Sequence, residues 1–324
     1  MESRSLYPLR FAPIFRRYLW GGRRLGTVLN KPIGDETCAE SWEIVDHGAD
    51  QSIVTNGPLA GKTLHELVHE RRYELLGANQ HLAQFPLLLK LIDADKMLSI
   101  QVHPDDARAA KLSPPDLGKS EAWVVLSAEP GSVIYAGLKR GFDRAALERE
   151  VHRGTCELCL HKFEPQVGDC IFLPAGVVHA LGAGIVIAEI QQSSDTTYRL
   201  FDWNRTGPDG KPRTLHVEQA LEAIDYQLGP VLPQTPIPAN RPETERLVTC
   251  DKFILDRHRS SGPRMLGGDG KCHIIVVVEG DLLLDDEHTS APLDRGDVVI
   301  LPASLPPILS TPSQSAVMLD AYLP

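Results

Sequence analysis

The sequence predicts a mostly β protein made of two related β-barrels with a few added helices. Three observations lead there. First, 25 prolines and 26 glycines punctuate a 324-residue chain with many short aliphatic and β-branched runs, the pattern of short strands joined by tight turns. Second, the chain echoes itself. Gly168-Asp169-Cys170-Ile171-Phe172-Leu173-Pro174-Ala175 resembles Gly296-Asp297-Val298-Val299-Ile300-Leu301-Pro302-Ala303. In each, Gly-Asp opens a strand after a tight turn and Pro closes it. The spacing far exceeds that of a solenoid repeat, so two related barrels explain it better. Third, Pro230, Pro233, Pro236, Pro238 and Pro242 crowd a polar stretch that reads as a linker. This divides the chain into residues 1–240, a larger unit with helical insertions, and residues 241–324, a smaller β unit.

Strands are expected at 87–92, 97–102, 122–126, 132–136, 170–173, 185–191, 252–256, 273–278, 297–301 and 316–320. Three helices interrupt them. Thr63-Leu64-His65-Glu66 is a capping box, in which hydroxyl and carboxylate each satisfy a free backbone N–H. Leu64, Leu67, Val68, Leu75 and Leu76 continue it as one apolar stripe, and Gly77 can end it. A second helix follows Gly141, with Phe142, Leu147 and Val151 inward. A third starts near Thr214, carries Val217, Ala220, Leu221, Ile224 and Leu228 on one face, and ends at Gly229.

Composition narrows the function. Net charge is -10, from 33 Lys and Arg against 43 Asp and Glu, which argues against a general nucleic-acid binder. A phosphorylated substrate stays open, since a pocket needs only a few local cations. No run reaches the length of a membrane span. Met1 to Phe11 has no apolar core of a signal peptide, and cytoplasm is the expected location. The six cysteines are scattered and do not suggest a disulfide scaffold. Cys156-Glu157-Leu158-Cys159 is a lone C-x-x-C with no second pair to complete a zinc ribbon.

The chemistry concentrates in Leu98-Ser99-Ile100-Gln101-Val102-His103-Pro104-Asp105-Asp106. Strand alternation puts Ser99, Gln101 and His103 on one face. Buried there, Gln and His need partners. A metal ion is one solution, because imidazole nitrogen and amide oxygen both ligate; a hydrogen-bonded core histidine is the other. His65 and His69, with Glu66 between, read as a surface helix face. His47, His81, His152, His161, His216, His258, His273 and His288 suggest no constellation. Gly21-Gly22-Arg23-Arg24-Leu25-Gly26 lacks the strand-then-helix setting of a phosphate loop.

Gly168 through His179, as G-x5-P-x-G-x2-H, is similar to the second signature of the cupins, small β-barrels that often hold a metal. The first cupin signature is altered: Gln101-Val102-His103 precedes Glu121 by a long gap. That departure resembles the type I phosphomannose isomerases. The same family resemblance extends to Trp20-Gly21-Gly22, Ala39-Glu40-Ser41-Trp42-Glu43, Gly118-Lys119-Ser120-Glu121-Ala122-Trp123, Val178-His179-Ala180 and Ile190 through Arg199.

The resemblance implies two cupin-type (jelly-roll) barrels. It also implies one Zn2+ per chain, held by Gln101, His103, Glu121 and His179. Gln101 is the weakest of the four, and its other role is a hydrogen bond to the metal's water. Pro307 stands where the second barrel would need His179, so that barrel is expected to carry no metal. The implied reaction interconverts mannose 6-phosphate and fructose 6-phosphate through a cis-enediol, with a small sugar phosphate as the partner. Arg199 is placed to steady the enediolate or hold phosphate. Lys119 binds phosphate or shares proton transfer, and Lys90 is a further phosphate candidate. The base stays open between Glu189 and a water on the metal. An iron oxygenase could use the same His103, Glu121 and His179, but Gln101, Lys119 and Arg199 suit an anionic sugar better. A non-catalytic sugar-sensing cupin should have lost a ligand or the arginine.

Overall fold

The computed structural model describes residues 5–207, 210–239 and 241–324. Residue 240, at the expected boundary, and residues 1–4 of the N-terminal stretch lie outside the described residues. The molecule is mostly β. Two facing sheets occupy its first part. The larger runs in the order Cys170–Leu173, Glu121–Ala128, Ile185–Gln192, Leu87–Ala94, Glu40–Ile44 and Ile14–Arg16. The other runs Leu160–Phe163, Ile134–Leu138, His179–Leu181, Ile100–Val102 and Tyr198–Phe201. A second pair is built from Ile237 onward. Its six-stranded sheet is Ile237–Pro238, Thr244–Thr249, Ile254–Ser260, Ala316–Tyr322, His273–Glu279 and Val298–Leu301. Its four-stranded sheet is Arg264–Leu266, Ile308–Thr311, Asp281–Leu284 and Leu293–Asp294.

The long central strands read as unbroken apolar runs because both faces are buried. On Glu121–Ala128, Ala122, Val124 and Leu126 join a core shared with Leu255, Ile274, Val276 and Leu319 of the second sheet pair. Trp123 and Val125 point the other way, into the first barrel, with Ile171, Ile185 and Ile187. The site therefore grows from the inner face, and the outer face fastens the two sheet pairs together. Leu9 extends this fastening by exchanging backbone hydrogen bonds with Ile300, both 2.9 Å.

All ten expected strands exist, and local differences have tertiary causes. Glu40–Ile44 was not expected as a strand, since Glu40-Ser41-Trp42-Glu43 does not read as one; it is internal to its sheet. Its buried Glu43 is neutralised by Lys31 at 2.8 Å and accepts from Ser41 at 2.5 Å. The first helix carries the capping box, with Thr63 and Glu66 each accepting the other's backbone N–H. It breaks at Arg71 into Leu64–Glu70 and Arg72–Leu76. Gly77, at φ +58°, ends the second piece, and a Cβ there would lie 2.3 Å from the carbonyl oxygen of Gly270. The second helix is Arg144–Arg153, N-capped by Asp143. The third, Val217–Ala223, stops before Gly229, because the Asp225 N–H is given to Gly176 O at 2.9 Å and Leu228 packs in the barrel core instead.

The echo between the halves is structural as well. Leu173 pairs with Glu121, and its counterpart Leu301 pairs with His273. Contrary to expectation, His258 and His273 do join a constellation: both reach Asp320, at 3.1 and 2.7 Å, inside the second barrel. His47 likewise has a partner, Asp116, at 3.2 Å. Cys156 and Cys159 are buried free thiols on a short 3-10 turn, and burial, with Glu157 adding to it, pushes Cys156 up to about 12.

Candidate active site

Backbone pairing assembles the site from five strands and the loop that follows one of them. Gln101 lies opposite His179 in one sheet. Glu121 lies opposite Gln191, and Glu189 opposite both Trp123 and Lys90, in the other. His103 follows the strand Ile100–Val102, just before Pro104 ends it. Among the described residues, His103, Glu121 and His179 are the one group of His, Cys, Asp or Glu side chains close enough to hold an ion. One ligand atom from each falls within 4.8 Å of the others. All three are essentially inaccessible to solvent.

The donor set fits a divalent cation. His103 Nδ1 faces the carbonyl of Thr196 and His179 Nδ1 that of Val177, each at 2.9 Å. A carbonyl only accepts, so each Nδ1 carries the proton and each Nε2 presents a lone pair. Those Nε2 atoms converge on Glu121, at 3.5 Å from Oε2 and 3.3 Å from Oε1. Burial, reinforced by the Lys119 charge, holds His103 well below the usual imidazole range. Burial likewise takes His179 down to about 4. The contacts are therefore not ion pairs but electron-rich atoms turned on one another. Glu121 Oε1 is buried without a hydrogen-bond partner, and burial, with Glu189 adding to it, pushes the carboxyl up to about 7 against the pull of Lys119. A cation at this point would relieve all of these at once.

Lys119 already supplies a positive charge at the edge of the cluster, 2.6 Å from Glu121 Oε2 and 3.1 Å from His103 Nε2. Gln101 turns its amide nitrogen to His179 Nε2 at 3.5 Å and its oxygen to Ser99 at 3.3 Å. Rotating the amide would present the oxygen to the cluster instead.

A cavity of about 320 Å³ opens beside this cluster. Gln101, Lys119, Trp123, Glu189, Lys90 and Arg199 line it, with Tyr18, Trp20, Glu40, Ser99, Asp195, Thr197 and Arg213. Glu189 accepts from the Trp123 indole at 2.8 Å and lies 3.7 Å from Lys90. Burial opposes its charge, but Lys119 and Lys90 outweigh burial and keep the carboxyl below its usual value. Lys90 is itself desolvated, yet Glu40 and Glu189, at 3.8 and 3.7 Å, raise it. Arg199 donates to Thr214 O at 2.9 Å, and its Nε has no partner.

Every expected site residue thus lies in the ligand cluster or on the cavity wall. Sequence reasoning gave no role to Tyr18, Glu40, Asp195 or Arg213. Glu40 and Asp195 stood inside the family-like blocks, which was an available signal. Arg213 follows the polar residues Gly210-Lys211-Pro212 and stood out in no way. It is fixed against buried Asp202, which also takes Arg205.

Fold and site together define a cupin-like protein with a buried two-histidine, one-carboxylate cluster on a sugar-sized cavity. Comparison with known proteins makes this specific. Residues 9–121 match the model for the phosphomannose isomerase type I catalytic domain. The chain is 34% identical over 303 residues to mannose-6-phosphate isomerase ManA of Bacillus subtilis, covering 92% of this chain and 94% of that protein. It is 35% identical over 300 residues to mannose-6-phosphate isomerase of Streptococcus mutans, covering 92% and 93%. The crystal structure of the mannose 6-phosphate isomerase from Bacillus subtilis superposes with a TM-score of 0.90 at 31% identity, covering 98% of this chain and all of that one. The chain belongs to the type I phosphomannose isomerase family.

Proposed function

We propose that this chain is a zinc-dependent aldose–ketose isomerase that interconverts mannose 6-phosphate and fructose 6-phosphate through a cis-enediol. The observation that carries the reading is the unpartnered Glu121 Oε1, with two imidazole lone pairs turned on the same carboxylate at the wall of a cavity that also holds Lys119, Glu189 and Arg199. His103, Glu121 and His179 would hold the ion, with Gln101 as the fourth ligand. When bound, zinc supplies Lewis acidity toward the neighbouring oxygens of the sugar.

The chain's own groups do the rest. Glu189 is kept ionised by Lys119 and Lys90 and oriented by the Trp123 indole. It takes the proton from C2 and returns it at C1. Lys119, an ammonium within the cluster, moves protons between O1 and O2. Arg199 stays protonated and steadies the negative charge that develops on the enediol oxygens, or holds the phosphate bidentately. Lys90, 3.7 Å from Glu189, acts through it. Trp20 and Trp123, both buried, line the cavity and exclude water from the reacting carbons.

The test is isomerisation of mannose 6-phosphate by protein of measured metal content, before and after chelation. Zinc near one per chain, with activity lost on chelation and restored by added zinc, is the expected result. Full activity in metal-free protein would overturn the reading. Iron in place of zinc, with oxygen consumption, would favour the oxygenase alternative.

A further inference from the structure

Asp106 has no part in the chemistry above, yet it sits where three pieces of chain meet. Its Oδ1 accepts from the backbone N–H of Gly118 at 2.8 Å and from Gln192 Nε2 at 2.9 Å. Its Oδ2 lies 2.8 Å from Lys252 Nζ, on the turn between Thr244–Thr249 and Ile254–Ser260 of the second sheet pair. Gly118 and Gln192 lead to the ligand cluster. Gly118 is three residues before Glu121, and Asp106 is three residues after His103. Gln192 closes the strand that carries Glu189, and its Oε1 accepts from the Ser120 N–H at 3.1 Å.

The surrounding backbone is interlocked in the same sense. Lys119 N donates to Pro104 O at 3.1 Å, and Gly176 N donates to His103 O at 3.0 Å. Ser120 Oγ accepts from Ala175 N at 3.1 Å. Gly118 has no room for a side chain, since a Cβ there would come within 2.5 Å of Asp106 N. The His103 and Glu121 segments are thus pressed together at a point that the Asp106 carboxylate bridges beside the Lys119–Pro104 backbone bond.

From this juxtaposition we propose that Asp106 is a positioning residue, which sets the separation of the His103 and Glu121 ligand segments and through Lys252 ties it to the second barrel. The proposal rests on the metal reading of the cluster. It gives the second barrel a task in the reaction: it supplies the cation that holds Asp106 in place. The Lys252–Asp106 pair is partly exposed, with side chains 28% and 45% accessible, so its own share is small. The larger share belongs to the two hydrogen bonds that Asp106 accepts, because their loss frees two ligand segments to move apart.

The test is zinc affinity of the full chain by chelator competition, with apo-protein melting and steady-state kinetics beside it. Asp106→Ala is expected to weaken zinc about tenfold, within the range for outer partners of metal ligands. Lys252→Ala should weaken it about twofold, and Lys252→Arg should restore it. The double variant Asp106→Ala/Lys252→Ala should be no weaker than Asp106→Ala, since the lysine acts through the aspartate. A scaffold role alone would lower apo melting in Asp106→Ala and leave zinc affinity unchanged, which overturns the proposal. Wild-type protein that binds no zinc would overturn the metal reading and this inference with it. Normal wild-type binding with normal Asp106→Ala binding would overturn the inference alone.

Discussion

Raising the pH above neutrality is expected to weaken the second barrel through one residue, His273. Its side chain is 1% exposed. Nδ1 lies 2.7 Å from Asp320 Oδ1 and Nε2 lies 2.9 Å from Asp269 Oδ1. Ionised carboxylates only accept, so both ring nitrogens must donate and the ring is an imidazolium. Burial favours the neutral ring, but Asp320 and Asp269 outweigh burial and the group is pushed up to about 9. The other groups facing this cluster are His258 on Asp320, the Tyr322 ring at 4.8 Å with Lys271 over it, and Arg241 on Asp269. The folded value exceeds the unfolded one, near 6.5. The stabilisation is therefore complete below pH 6.5 and is lost as the pH climbs through 9. From 6.5 to about 9, at about 1.4 kcal/mol per pH unit, the ceiling is about 3 kcal/mol. The same contact also holds Asp320 below its usual range, so it is counted once. The assay is urea unfolding of wild type and His273→Gln from pH 6 to pH 10. Wild type should lose its advantage over the variant across that window. Parallel curves, or a His273 ring signal titrating at or below about 6.5 in folded protein, would refute the reasoning.

Two further outcomes test the site and the scaffold. His179→Ala should lose metal and activity together, whereas Arg199→Ala should keep its metal and lose about 10²-fold in turnover, as removal of one charge-stabilising donor does; metal analysis beside kinetics separates them, and full zinc content in His179→Ala would remove it from the ligand set. Thr63→Ala should cost about 1 kcal/mol, read by thermal melting, because it deletes the Thr63 hydroxyl that accepts from Glu66 N at 3.1 Å.

Much of the fold was legible because its signals are local. Thr63 and Glu66 make their capping box whatever surrounds them, since the two bonds close within one turn. Gly168-Asp169 and Gly296-Asp297 mark strand starts for the same reason. Signals that depend on distant partners were silent. Glu40–Ile44 carries a buried carboxylate whose charge partner, Lys31, comes from another part of the chain. The helix that should have reached Gly229 stops early because a loop carbonyl competes for its next N–H.

The site divides along the same line. Strand alternation brought out Gln101 and His103, and the family resemblance implied Glu121, His179 and Arg199. Distance in sequence could not show that Asp320 gathers His258 and His273, that Arg213 reaches the cavity wall, or that Asp106 joins three segments. By itself, the order of residues determined periodicity, turns, caps and the set of chemically able side chains, all of which act within a few bonds. Tertiary structure alone decided which of them meet, because burial removes the water that would otherwise satisfy each charge and lone pair. For Glu121, already a candidate by resemblance, folding supplied the physical ground: it left Oε1 buried without a hydrogen-bond partner.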